Sequence, residues 1–222
     1  MESHIVKILE TKNVTHDVKC FRIEKPEGYT FIPGQATDVS IHQAGLETEL
    51  RPFTFTALNE KPYLEFTIKR YPEHKGITDH LHNLRVGEEI IIHDVWGAIN
   101  YKGPGYFIAG GAGITPFISI LRDLYHSGKI DGNELYFSNK TSEDIIYESE
   151  LKEMLGNNAH FILTRDEKPG YTHSRLNKEF LRRNIKDFKK HFYICGPDAM
   201  VKEISDLLRE EGASEEGLVF EK

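Results

Sequence analysis

With 222 residues, 39% of them hydrophobic, the chain can bury one large core or two small ones. A net charge of −7 argues against nucleic acid or an anionic membrane surface as the main partner. Two well-separated cysteines, Cys20 and Cys195, exclude a four-cysteine iron–sulfur cluster held by this chain and give no disulfide framework, while no stretch approaches the ~18 apolar residues of a membrane span; a cytoplasmic protein is expected.

The first half, to about residue 97, reads as strands. Val18–Glu24 and Ala36–His42 are short and rich in β-branched and aromatic residues, with turn chemistry between them at Pro26-Glu27-Gly28 and Pro33-Gly34. Arg51-Pro52-Phe53-Thr54 leads into a strand expected over Phe53–Leu58. An arginine fork suits a phosphate, an aromatic ring can stack on a flat heterocycle, and a hydroxyl can bond its edge. Taken alone, the same residues also fit a surface ion pair and a core phenylalanine. Leu64–Arg70 is the next strand, followed by Gly76-Ile77-Thr78-Asp79 ahead of a short helix near Thr78–Leu84, whose N-terminus suits a phosphate or merely a cap. Glu89–His93 completes a set that suggests an antiparallel barrel or sandwich.

Residues 97–105 read as a linker, and beyond them the pattern changes. Short apolar strands at Tyr106–Ala109, Leu135–Ser138, Phe161–Thr164 and Phe192–Cys195 alternate with helical segments at 116–126, 145–155, 176–184 and 198–210, as in a parallel sheet covered on both faces. The first strand runs into Gly110-Gly111-Ala112-Gly113-Ile114-Thr115-Pro116, with Thr115 a suitable N-cap and Pro116 a suitable first helical residue. Such a turn exposes amides to an anion, although a tight ligand-free connection has the same sequence. Cys195-Gly196-Pro197 repeats the arrangement at the end of another strand, which places both turns on one edge of the sheet. The histidines show no pair at metal-ligand spacing with a matching carboxylate, so no metal is expected.

In combination, Arg-Pro-Phe-Thr, Gly-Ile-Thr, Gly-Gly-Ala-Gly-Ile-Thr-Pro and Cys-Gly-Pro, in this order, resemble the ferredoxin–NADP⁺ reductase superfamily across essentially the whole chain. The resemblance implies a six-stranded antiparallel flavin-binding barrel over residues 1–100 and a parallel-sheet α/β nucleotide-binding domain over 101–222. It implies FAD as cofactor, with FMN left open, and NAD(P)H as hydride donor. The acceptor would be a separate protein (flavodoxin, ferredoxin or an oxygenase component) or a small molecule. Arg51 would hold the FAD pyrophosphate, with Pro52 in the same segment; Phe53 would stack on the isoalloxazine, where the family usually has tyrosine. Thr54, usually serine, would bond near flavin N5. Thr67, Ile68 and Lys69 would line the flavin through backbone groups, and Gly76, Ile77 and Thr78 would form a pyrophosphate loop. Gly111, Gly113, Gly196 and Pro197 would cradle the dinucleotide, with Thr115 near both rings and Cys195 facing the nicotinamide; Thr54 and Cys195 are the expected catalytic positions. Phe220 would cover the flavin or the adenine, or else serve as an edge-strand core residue. Arg165, with Lys140 and Arg175, would meet a 2′-phosphate, and the missing acid after Ser138 leans towards NADPH. A non-catalytic or subunit-type module of a larger redox complex is the alternative.

Overall fold

The computed structural model describes residues 3–97 and 99–220. Its first half comprises β1 (Ser3–Asn13), β2 (Val18–Glu24), β3 (Ala36–Ile41), β4 (Arg51–Thr54), β5 (Tyr63–Lys69), helix α1 (Ile77–Asn83) and β6 (Glu89–Trp96). The strands pair antiparallel in the order β4-β3-β6-β1-β2-β5, and a bridge between Phe55 and Phe66 joins the two ends, closing a barrel. Alternate residues of each strand point inward, so Val6, Ile8, Phe21, Ile23, Val39, Ile41, Leu64 and Phe66 fill the interior with Phe55. α1 covers one mouth through Ile77 and Leu81.

The second half continues through β7 (Gly105–Gly110), α2 (Thr115–His126), β8 (Glu134–Asn139), α3 (Glu148–Leu155), β9 (Ala159–Leu163) and β10 (Thr172–His173). It ends with α4 (Lys178–Asn184), β11 (His191–Cys195), α5 (Asp198–Glu210) and β12 (Leu218–Phe220). These strands form one parallel sheet in the order β10-β9-β8-β7-β11-β12. The chain winds outward from β7 to β10, then returns to place β11 beside β7. This is the reversal at which an open α/β sheet leaves a crevice. α2 and α3 pack on the face turned towards the barrel, where Phe117, Leu121 and Leu151 meet Phe107, Phe137 and Val18 of β2. α4 and α5 cover the other face through Phe180, Leu181, Ile204 and Leu208.

Several expected elements differ in extent. The strand expected over Phe53–Leu58 lies earlier, at Arg51–Thr54, because the chain turns inward at Phe55 to make the closing bridge. Thr115 is not an N-cap: a 3₁₀ turn over Gly111–Ile114 runs directly into α2, so Thr115 is already helical (φ −58°, ψ −43°) and its hydroxyl donates to the Ala112 carbonyl at 3.0 Å.

Candidate active site at the junction of the two halves

Strand order puts the carboxyl ends of β7 and β11 side by side, Ala109 opposite Cys195. The two turns that follow interlock. A Cβ on Gly113 would stand 2.3 Å from the Cys195 carbonyl oxygen, and one on Gly110 would stand 2.6 Å from the Met200 sulfur. These glycines let the turns pack against each other. Gly111 is different: it holds φ +52° with open space where a Cβ would be, so its backbone faces a void.

That void is a cleft of about 590 Å³. One wall is Gly110–Gly113 with Gly196 and Pro197; the opposite wall is Lys69 and Tyr71 of the barrel. Ser138, Asn139 and Thr164 form the floor. Beyond Ser138 and Thr164 a second cavity of about 330 Å³ gathers Lys140, Arg165 and Arg175 with Glu203 from α5. The three cations named from sequence thus meet in one place, joined by an acid that the sequence pattern did not bring there.

On the barrel side, Arg51 and Pro52 are exposed at the start of β4, and Phe53 and Thr54 are half-buried. Proline is tolerated because β4 pairs only with β3, so the missing N–H breaks no second ladder. The Phe53 ring leans on Phe66 at 6.2 Å. Arg51 donates to the Leu50 carbonyl at 2.7 Å and makes no ion pair among the described residues. Gly76 caps α1 with nothing closer than 4.0 Å to a virtual Cβ. Thr78 is half-exposed, whereas Ile77 is buried in the barrel and offers only its backbone. Thr67 directs its hydroxyl at Tyr147 (3.0 Å), the Ile68 carbonyl takes the His82 ring N–H at 2.7 Å, and Lys69 pairs with Asp17 at 2.7 Å.

Cys195 packs in the layer facing the barrel. Phe220 does not: it pairs with Ile194 and packs among the residues of the far face, beside a separate cavity along α5. Phe220 thus stands on the edge strand and outside the lining of the cleft between the halves. Sequence reading also passed over Tyr71, Asn139 and Met200. For Asn139 a signal existed, since it shares the period-two face of Leu135 and Phe137 and so falls on the buried side of β8. The fold also brings ligand atoms of His16, Asp17 and Asp144 within 4.8 Å of one another, a grouping invisible in sequence spacing. His16 there bridges the two acids at 3.7 and 3.8 Å.

The halves are clamped behind the cleft. Arg122 of α2 donates to Glu65 (2.9 Å), to the Thr56 carbonyl (2.7 Å) and, through Nε and Nη2, to Glu150 (2.6 and 2.9 Å). Burial alone would raise the Glu65 carboxyl, but Arg122, Arg22 and Thr56 together hold it below its usual value. The nearby Cys20 thiol is pushed up to about 12, chiefly by burial, and is inert at neutral pH.

The family profile of the oxidoreductase FAD-binding domain matches residues 5–101, and that of the oxidoreductase NAD-binding domain matches residues 107–206. The reductase component of propane 2-monooxygenase from Rhodococcus jostii is 28% identical over 235 residues, covering 97% of this chain and 62% of that protein. NADH-cytochrome b5 reductase 2 from Coccidioides immitis is 30% identical over 232 residues, covering 90% and 67%. The chain spans about three fifths of the length of the monooxygenase reductases it matches, 62% and 61%. The structure of a ferredoxin NADP⁺ reductase from Neisseria gonorrhoeae with bound FAD and NADP superposes with a TM-score of 0.84 over 100% of this chain and 98% of that one, at 22% identity. The CS-b5R domains of human Ncb5or, in the NAD⁺ form, give 0.81 over 99% and 69%, at 26% identity. Among the described residues no helix is long and apolar enough to cross a membrane.

Proposed function

The chain belongs to the ferredoxin–NADP⁺ reductase superfamily, with an FAD-binding and an NAD-binding half, and from that premise we propose that it oxidises NAD(P)H and passes the electrons to a separate one-electron acceptor, an oxygenase component or a ferredoxin-like carrier. One observation carries the reading: the sheet's reversal point opens onto a cleft whose far wall belongs to the barrel, so a ligand on the glycine turns lies against the other half. We put the boundary between the halves at residue 100, close to the end of the FAD-binding match at residue 101 and ahead of the NAD-binding match that begins at residue 107.

The residues below would hold FAD, which when bound would supply hydride acceptance and one-electron release. The chain's part is to bind and align. Arg51 offers the pyrophosphate the guanidinium N–H groups left over from its bond to the Leu50 carbonyl, and the amides at Gly76, Ile77 and Thr78 serve the same anion. Phe53 presents a half-exposed ring and Thr54 a hydroxyl beside it, while Thr67, Ile68 and Lys69 line the flavin through the backbone groups left over from their other contacts. Gly111, Gly113, Gly196 and Pro197 shape the dinucleotide seat. Thr115 keeps its oxygen lone pairs after donating to Ala112, and Cys195 sits at the end of β11 on the barrel side. Most of the rate then comes from holding two flat rings in register. The monooxygenase reductases among the relatives favour an oxygenase component as acceptor.

Purified protein is expected to take up FAD and turn yellow, and to bleach under anaerobic NADPH or NADH. A preparation that takes up FAD but does not bleach with either nucleotide overturns the reductase reading.

A further inference from the structure

Asn139 ends β8 with 5% of its surface exposed, and among the described residues neither its amide nitrogen nor its amide oxygen has a hydrogen-bond partner. Its backbone carbonyl accepts the Thr164 amide at 2.9 Å and the Thr164 hydroxyl at 3.3 Å. A buried amide left without partners is costly, and native proteins rarely keep one without a use. Leu135 and Phe137, on the same face of β8, are packed in the core, so parity alone would give an apolar residue here. Asn139 instead borders the cleft, between the glycine turn after β7 and Lys69 of the barrel.

The chemistry of the orphaned group narrows its ligand. A carboxamide offers donors and an acceptor side by side. A phosphate would use only the donors and leave the oxygen unsatisfied, and the glycine-turn amides already supply donors. A vicinal diol uses both, giving one O–H and accepting one N–H. Resting on the nucleotide reading above, we propose that Asn139 binds a ribose diol of the dinucleotide, making it a specificity residue for the sugar. In NAD⁺ both riboses present such a diol; in NADPH, whose adenosine ribose carries the 2′-phosphate, only the nicotinamide ribose does.

The test uses FAD-loaded wild type, Asn139→Ala and Asn139→Leu, with flavin content as the check on folding. Dissociation constants are measured by calorimetry for NAD⁺, ADP-ribose and ADP, and melting temperatures are taken without nucleotide. Both variants should bind NAD⁺ and ADP-ribose about ten-fold more weakly, as expected for losing hydrogen bonds to a bound hydroxyl pair. ADP weakened in parallel places the contact on the adenosine side; ADP unchanged places it on the nicotinamide side. Because the amide has no protein partner, Asn139→Leu should melt no lower than wild type, whereas a purely structural amide predicts a lower melting temperature with unchanged affinities. That second pattern, or equal affinity in all three proteins, overturns the assignment alone. A flavin-loaded wild type that binds none of the three ligands overturns the nucleotide reading together with it.

Discussion

Arg51 is exposed at the start of β4, with its guanidinium bonded to the neighbouring Leu50 carbonyl and to no acid among the described residues. A charge-assisted contact to a pyrophosphate is worth about 1.5–3 kcal/mol. Arg51→Ala should therefore weaken FAD binding roughly ten-fold or more while leaving the barrel's stability near wild type, since the residue is exposed on an edge strand. Flavin retained per chain after extensive dialysis measures this, and unchanged content removes the assigned role. On the function proposed above, nucleotide preference is assigned further along, where Lys140, Arg165 and Arg175 share a cavity with Glu203. Three cations against one acid favour a 2′-phosphate. Replacing Arg165 and Arg175 together by alanine should raise the KM for NADPH at least ten-fold and leave that for NADH within about two-fold, at the usual strength of charged contacts. Equal loss with both substrates would mean that the cavity reads something common to the two. These side chains were legible as candidates from charge and position. Glu203 was not, because only the packing of α5 against the β8 end brings it there.

At the scale of elements, the change from period-two strands to alternating strands and helices was plain in the sequence, and most strands fall within a residue or two of expectation. What escaped did so for physical reasons. β1 leaves Ile5 and Leu9 exposed at 55% and 48%, which blurs the alternation that marks Val6 and Ile8 as buried. β10 and β12, two and three residues long, exist only because a neighbouring strand offers a free edge. The glycine turns were read correctly as special, but as one class. The structure divides them. Gly113→Ala would drive a Cβ to 2.3 Å from a backbone oxygen that belongs to the other turn, so it should destabilise the second half by about 1–3 kcal/mol. Gly111→Ala meets open space and suffers only the left-handed φ of +52°, a cost of about 1 kcal/mol. Urea denaturation of both variants compares them directly; equal losses would show that the turns do not interlock.

For the molecule as a whole, the relation between barrel and sheet depends on contacts that hydrophobic patterning does not announce. α2 presents Arg122 at a position where periodicity calls for a solvated side chain, and the fold buries it against Glu65 of the barrel and Glu150 of α3. Glu65 also takes Arg22 at 3.1 Å and the Thr56 hydroxyl at 3.0 Å, so with Arg122 three groups from both halves converge on one buried carboxylate. Glu65 gives up its proton more readily in the folded chain than at its ordinary value of 4.5. Its contribution to stability is therefore complete above 4.5 and is lost as acid takes the solution through the lower folded value. Glu65→Gln leaves Arg122 with Glu150 and Arg22 with Glu10, so the cost at neutral pH should be about 1–2 kcal/mol rather than the 3–5 kcal/mol of a pair broken outright. The same variant should lose stability less steeply than wild type on acidification below 4.5, because the proton that wild type takes up there has no carboxylate to bind. Urea unfolding of the two proteins across this range separates the Glu65 share from that of the exposed carboxylates, which titrate equally in both. Parallel curves would mean that the halves are held by apolar contact around Val18 and by the Gly34–Ser119 hydrogen bond of 3.1 Å, with the buried ion cluster contributing orientation alone.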